Sequence, residues 1–78
     1  MSPKLPAVRP REAIRVAVTL GFALDHQKGS HAVYYRERDK ARVTIPMHAG
    51  KDISPGTLAG IINDLRITPE EFQLLLKG

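Results

Sequence analysis

Three short β-prone runs, joined by two-residue polar reversals, constrain the fold of this chain most. The runs cover residues 22–28, 31–38 and 41–45, and the reversals are Gly29-Ser30 and Asp39-Lys40. Connections this short join antiparallel neighbours, because parallel strands need a long crossover. Pro46 cannot donate to a strand ladder and is expected to end the third run. The sequence therefore predicts a three-stranded antiparallel meander.

The pattern within these runs leaves one question open. Strict alternation places Phe22, Leu24 and His26 on one face of the first strand. In the second strand it places His31 on the side opposite Tyr34, and either side could face the core. The sequence alone does not decide which of these two residues is exposed.

Helical patterns flank the meander on both sides. Apolar side chains recur at helical spacing over residues 10–19, over residues 58–65 and again after a capping box at residues 68–71. The start and stop signals are Pro10, Gly21, Ser54, Pro55, Thr68 and Glu71. The predicted order is α-β-β-β-α-α, an α+β fold in which helices cover one face of a three-stranded antiparallel sheet. Residues 1–9 are predicted to form an extended lead-in, and residues 10–78 a single domain.

Charge and composition narrow the classes of partner. The chain has 78 residues, a formal charge of +4, a pI near 9.9 and no cysteine. Surplus positive charge favours a polyanion such as RNA, or else an acidic protein surface. No run approaches the roughly 18 apolar residues of a membrane span, and the proline-rich start lacks a signal-peptide core. We expect a cytoplasmic protein with no membrane contact, since a lack of disulfides suits a reducing compartment.

The first candidate site is the turn between the first two predicted strands, Lys28-Gly29-Ser30-His31. Histidine suits proton transfer because its unperturbed pKa, about 6.5, lies near neutral pH. Gly29 can adopt positive φ and let a phosphodiester approach, Ser30 could bind a phosphate oxygen, and Lys28 supplies positive charge. The same residues would also serve as an ordinary hairpin turn with a solvated lysine, so the pattern alone allows both interpretations.

Further candidates lie elsewhere in the chain. His48 and Lys51 occupy the loop before a predicted helix, where anions bind readily, although His48 could instead hold a backbone carbonyl. Tyr34 could stack on an unpaired base or pack in the core. The three histidines, taken with Asp25 or Asp52, lack the spacing of a metal site, so neither a metal nor another cofactor is expected.

Three segments occur in a defined order between residues 21 and 72. They are Gly21-Phe22 with Lys28-Gly29-Ser30-His31 and Tyr34, then VTIPMHAGK at residues 43–51, then Gly56-Thr57-Leu58 with Ile61-Ile62 and TPEEF at residues 68–72. Together they resemble the HicA family of toxins from bacterial and archaeal type II toxin–antitoxin pairs. The resemblance implies a double-stranded-RNA-binding-domain-like α-β-β-β-α fold and an mRNA-cleaving activity that rests on His31. It also implies a cognate HicB-type antitoxin that covers His31 in a hetero-oligomer.

Our leading hypothesis is accordingly a HicA-like mRNA endoribonuclease. An RNA 2′-hydroxyl can attack the adjacent phosphate, so the reaction requires no metal. His31 would act as general acid or base, with Lys28, Ser30 and Lys51 as phosphate ligands. One alternative is a non-catalytic double-stranded-RNA-binding module of the same fold, in which His31 is dispensable. Another is a protein-interaction adaptor that meets an acidic partner.

Overall fold

A computed structural model describes residues 6–48 and 50–78. Its regular elements are α1 (Pro10–Thr19), β1 (Ala23–Lys28), β2 (His31–Arg36), β3 (Ala41–Pro46), α2 (Pro55–Asp64) and α3 (Pro69–Lys77), with a 3₁₀ turn at Glu37–Asp39. The predicted α-β-β-β-α-α order is confirmed, and the architecture is consistent with a double-stranded-RNA-binding-domain-like fold. The second strand is shorter than predicted, because its expected last residues form the 3₁₀ turn and Lys40 takes a left-handed conformation with φ 58°.

The sheet has strand order β1-β2-β3, and both strand pairs are antiparallel, as predicted. α1 and α2 contact β3, while α3 packs against α1 and α2. Alternate residues of β2 and β3 are therefore buried, whereas all six residues of β1 are exposed. The largest fully buried side chains are Phe72, Ile45, Leu58, Leu65, Val8, Val16 and Val43. The helices thus cover the β2–β3 half of one sheet face and leave the other face open.

The start of the chain contributes to this core. Residues 1–5 of the predicted lead-in lie outside the described residues. Val8 is fully buried, and its carbonyl accepts a hydrogen bond of 2.8 Å from the Ile53 N–H. This bond ties the segment before α1 to the segment before α2, so the two helix starts lie side by side.

The helix boundaries follow local signals in the sequence. Gly21 has φ +94°, the left-handed conformation expected after α1. The capping box at α3 is confirmed: the Glu71 N–H donates to Thr68 Oγ1 at 3.1 Å, and the Thr68 N–H donates to Glu71 Oε1 at 3.0 Å. Within residues 6–48 and 50–78, no helix has the length and apolar character needed to cross a membrane.

A β-bulge at Asp25 breaks the alternation predicted for the first strand. Leu24 pairs with Tyr34, but His26 pairs with Val33, so one extra residue lies on the β1 side. Directly paired residues share a face of the sheet. Leu24 therefore lies on the face that carries the helices and His26 on the open face, and the prediction that they share a face was wrong. An inserted residue shifts every later side chain of a strand to the opposite face.

Arg36 is a buried cation that joins β2 to the end of α1. Its side chain is only 7% exposed. The guanidinium donates two hydrogen bonds to the Asp39 carboxylate, at 2.9 and 2.8 Å, and one to the Leu20 carbonyl at 2.9 Å. It also lies over the Phe22 ring, 4.5 Å from the centroid. These hydrogen bonds lower the pKa of Asp39 to about 2.

The Arg36–Asp39 pair should make stability depend on acid pH. The folded-state pKa of Asp39 is lowered from 3.8 to about 2, so its stabilising contribution is complete above the higher value. It is lost as the pH falls through the lower one, because the unfolded chain binds the proton more readily. We expect Asp39→Asn to be less stable at neutral pH and to lack this acid-dependent loss, measured as the urea midpoint against pH. Glu37→Gln removes an exposed carboxylate from the same 3₁₀ turn and should still lose stability as the pH falls. If Asp39→Asn loses the same stability, the acid-dependent loss does not come from the Arg36–Asp39 pair.

Candidate functional site

The β1–β2 turn places His31 at the first position of β2. Gly29 has φ +58°, the left-handed conformation that glycine adopts without strain. His31 pairs with Lys28 on one side and with Pro46 on the other, so it belongs to the last pairs of both ladders. The Met47 N–H donates to the Ser30 carbonyl and holds the end of β3 against the turn. His31 is exposed and lies on the open face of the sheet.

A cleft of about 460 Å³ brings His31 together with His48 and Lys51. It lies where the end of β3 meets the start of α2, so residues distant in sequence line it together. Thr44 and Pro46 contribute from β3. Among the described residues no hydrogen bond is formed by the His48 ring and no acidic side chain pairs with Lys51. The two imidazoles and the ammonium group are therefore available to a ligand of the cleft.

The start of α2 forms the opposite wall of the cleft. Ser54 has the extended conformation of an N-cap, as predicted, but its hydroxyl donates to Thr57 Oγ1 at 3.0 Å instead of accepting from the helix backbone. The positive end of the helix dipole consequently lies beside the cleft without a side-chain cap. Asp52 also lines the cleft, but it pairs with Arg9 at 3.0 Å, which balances its charge. The cleft is thus suited to an anionic ligand.

The open face of the sheet carries a second polar group beside His31. Asp25 Oδ2 lies 2.7 Å from His26 Nδ1 and 3.5 Å from Arg42 Nη1. The Arg42 guanidinium also lies over the Tyr35 ring, 5.1 Å from its centroid. The hydrogen bond from His26, with the charge of Arg42, holds the pKa of Asp25 below its usual range. Asp25 is therefore a carboxylate at neutral pH, and it accepts from a protonated His26 Nδ1.

Comparison with models of known protein families shows which family this chain belongs to. A family model described as "HicA toxin of bacterial toxin-antitoxin" matches residues 10–67. The chain belongs to the HicA toxin family. The match spans α1, the whole sheet, α2 and every residue that lines the cleft, whereas α3 lies beyond it. A comparison with curated proteins gave no match.

The structure groups most of the residues that the sequence singled out in this HicA-family chain. Gly29 and Ser30 form the turn before His31, and Lys28 faces His31 across the β1–β2 ladder. Lys51 lines the cleft with His31, although the two are far apart in sequence. Lys28 does not line the cleft. It lies on the exposed strand β1, on the side of His31 that faces away from the cleft.

Tyr34 is in the core and does not join this group. It is only 9% exposed and lies on the face of β2 that the helices cover, whereas His31 lies on the other face. Stacking of its ring on an RNA base would require the core to open. Tyr35 is half-buried on the open face, but it pairs with Ala23 and Arg42 toward the other end of β2 and does not line the cleft.

Sequence reasoning missed the pairing of Asp25 with His26. Adjacent strand residues normally point to opposite faces, so their side chains do not meet. The bulge removes this restriction, and the available signal was the Asp25-His26 dipeptide itself. Among the described residues no group of three or more His, Cys, Asp or Glu side chains is arranged to hold a metal ion.

Proposed function

We propose that this HicA-family toxin is an endoribonuclease that cleaves mRNA with His31 as a general acid or base. The observation that carries the proposal is the position of His31 in a cleft shared with His48, Lys51 and the start of α2. RNA supplies the nucleophile, since its own 2′-hydroxyl attacks the adjacent phosphorus. The protein must therefore move protons and balance the charge on the phosphate, and a positioned histidine and nearby cations perform these tasks.

The residues around His31 would divide the work of holding the phosphate. Lys51 and the positive end of α2 lie on the cleft side of His31, and Lys28 lies on the other side. Gly29 lets the RNA backbone approach the turn, and Ser30 offers a hydroxyl or N–H to a phosphate oxygen. His48, free of a described partner in the same cleft, is a secondary candidate for proton transfer. A single RNA strand would then run from the cleft across His31 toward β1.

A HicB-type antitoxin would silence the enzyme by covering this cleft. The cleft is open to solvent at His31 and His48, and both are exposed. A formal charge of +4 favours an acidic partner surface, which would compete directly with RNA for Lys51 and Lys28. We propose that toxin and antitoxin form a hetero-oligomer in the cytoplasm, where the mRNA substrate lies.

Induced expression in a bacterial host tests this proposal. Wild type should arrest growth and leave cleaved transcripts that primer extension detects, and co-expression of the antitoxin should prevent both effects. His31→Ala, at equal abundance and with the same fold, should neither arrest growth nor leave cleaved transcripts. If both proteins are harmless and both bind structured RNA, the chain is a non-catalytic RNA-binding module. If His31→Ala is as toxic as wild type, His31 is not the catalyst.

A further inference from the structure

We propose that His26, oriented by Asp25, is the second proton-transfer residue of this enzyme and works together with His31 on the open face of the sheet. The inference rests on the proposed ribonuclease function and adds a catalytic residue and a positioning residue to it. The observations that carry it are the bulge in β1, the 2.7 Å contact between the two side chains and the shared face with His31.

The bulge is what brings Asp25 and His26 into contact. In a regular strand these neighbours would point to opposite faces, one toward the helices and one toward the open side. With the extra residue inserted, His26 faces the open side and the Asp25 carboxylate reaches its ring. Bulges of this kind often redirect a side chain next to an active site. Without the bulge His26 would share a face with Leu24, away from His31.

The carboxylate determines which nitrogen of the imidazole can react. Asp25 Oδ2 accepts from Nδ1, so Nδ1 carries a proton in every state of the ring that keeps this hydrogen bond. Nε2 is then the nitrogen that gains or loses a proton during the reaction. A carboxylate that holds a histidine in one tautomer is the arrangement used for general bases and acids in other enzymes. Asp25 therefore acts through His26 and does not touch the substrate.

The strand register places His26 beside His31. His26 pairs with Val33 and Lys28 pairs with His31, so the two histidines are diagonal neighbours on one face. Such diagonal neighbours lie about 7–8 Å apart, with their Cβ atoms somewhat closer, so two extended rings can reach one phosphodiester. His31 lies between the cleft and His26, because the cleft lies on its β3 side and His26 on its β1 side. A phosphate bound between His26 and His31 would then have an imidazole on each side.

Two imidazoles meet the full proton balance of the cleavage step. One takes the proton of the 2′-hydroxyl through Nε2, and the 2′-oxygen lone pair forms a new bond to phosphorus. The bond from phosphorus to the 5′-oxygen breaks, its electron pair leaves with that oxygen, and the other imidazolium donates a proton to it. The products are a 2′,3′-cyclic phosphate and a 5′-hydroxyl. No water is consumed, and the pair of rings holds the same number of protons before and after the step.

The pH dependence of this pair will reflect the other charged groups on the open face. The titratable and charged side chains that face His26 from its own strand and its neighbours are Asp25, Lys28, His31, Tyr35 and Arg42. Of these, only the histidines have unperturbed pKa values between pH 5 and pH 8. A profile with two limbs near neutral pH would consequently report imidazoles, and substitution of His26, His31 or His48 identifies which ones.

The test measures kcat and KM against pH, from about pH 5 to pH 9, on a short labelled RNA that the wild-type protein cleaves. Wild type should give a bell-shaped profile of kcat/KM. His26→Ala should lower kcat by about 100-fold or more, with KM little changed, and should lose one limb of the profile. Asp25→Asn should lower kcat by less than His26→Ala does and should shift one limb while both remain, because the ring is still present but is no longer held in one tautomer. Gln27→Ala is the matched control, exposed on the same strand but on the opposite face, and should match wild type.

Three outcomes would overturn the inference while leaving the nuclease intact. His26→Ala could cleave within about twofold of wild type, or it could be slower with both limbs retained, which would indicate a structural effect. Alternatively, His48→Ala could remove the limb that we assign to His26. Failure of the proposed function would differ from all three, because wild type would then not cleave RNA, or His31→Ala would cleave it as fast as wild type.

Discussion

His31→Ala should lower the rate of RNA cleavage by about 100–10,000-fold, the contribution typical of one positioned acid or base. This loss corresponds to about 3–5 kcal/mol of transition-state stabilisation. RNA affinity should change by only a few fold, because in our proposal Lys28, Lys51 and the start of α2 would still attract the phosphate backbone. Single-turnover cleavage of a labelled RNA gives the rate, and fluorescence anisotropy with the same RNA gives the affinity.

The fold should survive this substitution. His31 is exposed, so the free energy of unfolding of His31→Ala should stay within about 0.5 kcal/mol of wild type. Arg38→Ala, in the 3₁₀ turn at the far end of β2, is a control that removes an exposed charge outside the site. It should cleave like wild type. Equal rates for His31→Ala and wild type, or complete loss of RNA binding by His31→Ala, would contradict the assigned role.

Phe72→Ala should have the largest effect on stability. Phe72 is fully buried and is among the largest side chains in the core, where α3 packs against the other two helices. Truncation of a buried phenylalanine costs about 3–5 kcal/mol, through lost burial and the cavity that remains. A small domain has a total stability near the lower end of about 5–15 kcal/mol, so this loss should leave much of the protein unfolded at 37 °C. Urea denaturation followed by circular dichroism measures it.

Leu74→Ala is the matched control on the same helix. Leu74 is 68% exposed, so its truncation should change the free energy of unfolding by no more than about 0.5 kcal/mol. α3 is also tied to α1 by a hydrogen bond of 2.6 Å from Arg15 Nη2 to the Leu76 carbonyl. This bond cannot replace the apolar contacts of Phe72. A loss below about 1 kcal/mol for Phe72→Ala would show that α3 contributes little to the core.

Local signals were sufficient to predict most of the fold. α1 spans the residues predicted for it because proline at its start and left-handed Gly21 after its end are properties of single positions. The capping box at Thr68 and the two-residue turn at Gly29 are likewise encoded within a few residues. Short turns then permit only antiparallel pairing, so the meander follows from the same local information.

The remaining features depend on contacts between distant segments. The bulge at Asp25 depends on how β1 pairs with β2, which alternation alone cannot reveal. The choice between His31 and Tyr34 for the open face depends on which side the helices cover. The cleft exists because the Val8–Ile53 hydrogen bond and the end of β3 bring the start of α2 close to His31. The sequence could identify His31 and Lys51 as separate candidates, but only the tertiary structure places them in one cleft.

The most direct test of the central claim uses an RNA in which one 2′-hydroxyl is removed. Wild-type protein is incubated with an all-ribose RNA, mass spectrometry identifies the ends of the fragments, and the assay is repeated with a 2′-deoxy nucleotide at the position of cleavage. Attack by the 2′-hydroxyl predicts a 2′,3′-cyclic phosphate or its hydrolysis product on one fragment, a 5′-hydroxyl on the other, and no cleavage at the deoxy position. Cleavage at the deoxy position, or fragments with 5′-phosphate ends, would show that water or another group is the nucleophile and that the proposed chemistry at His31 is wrong.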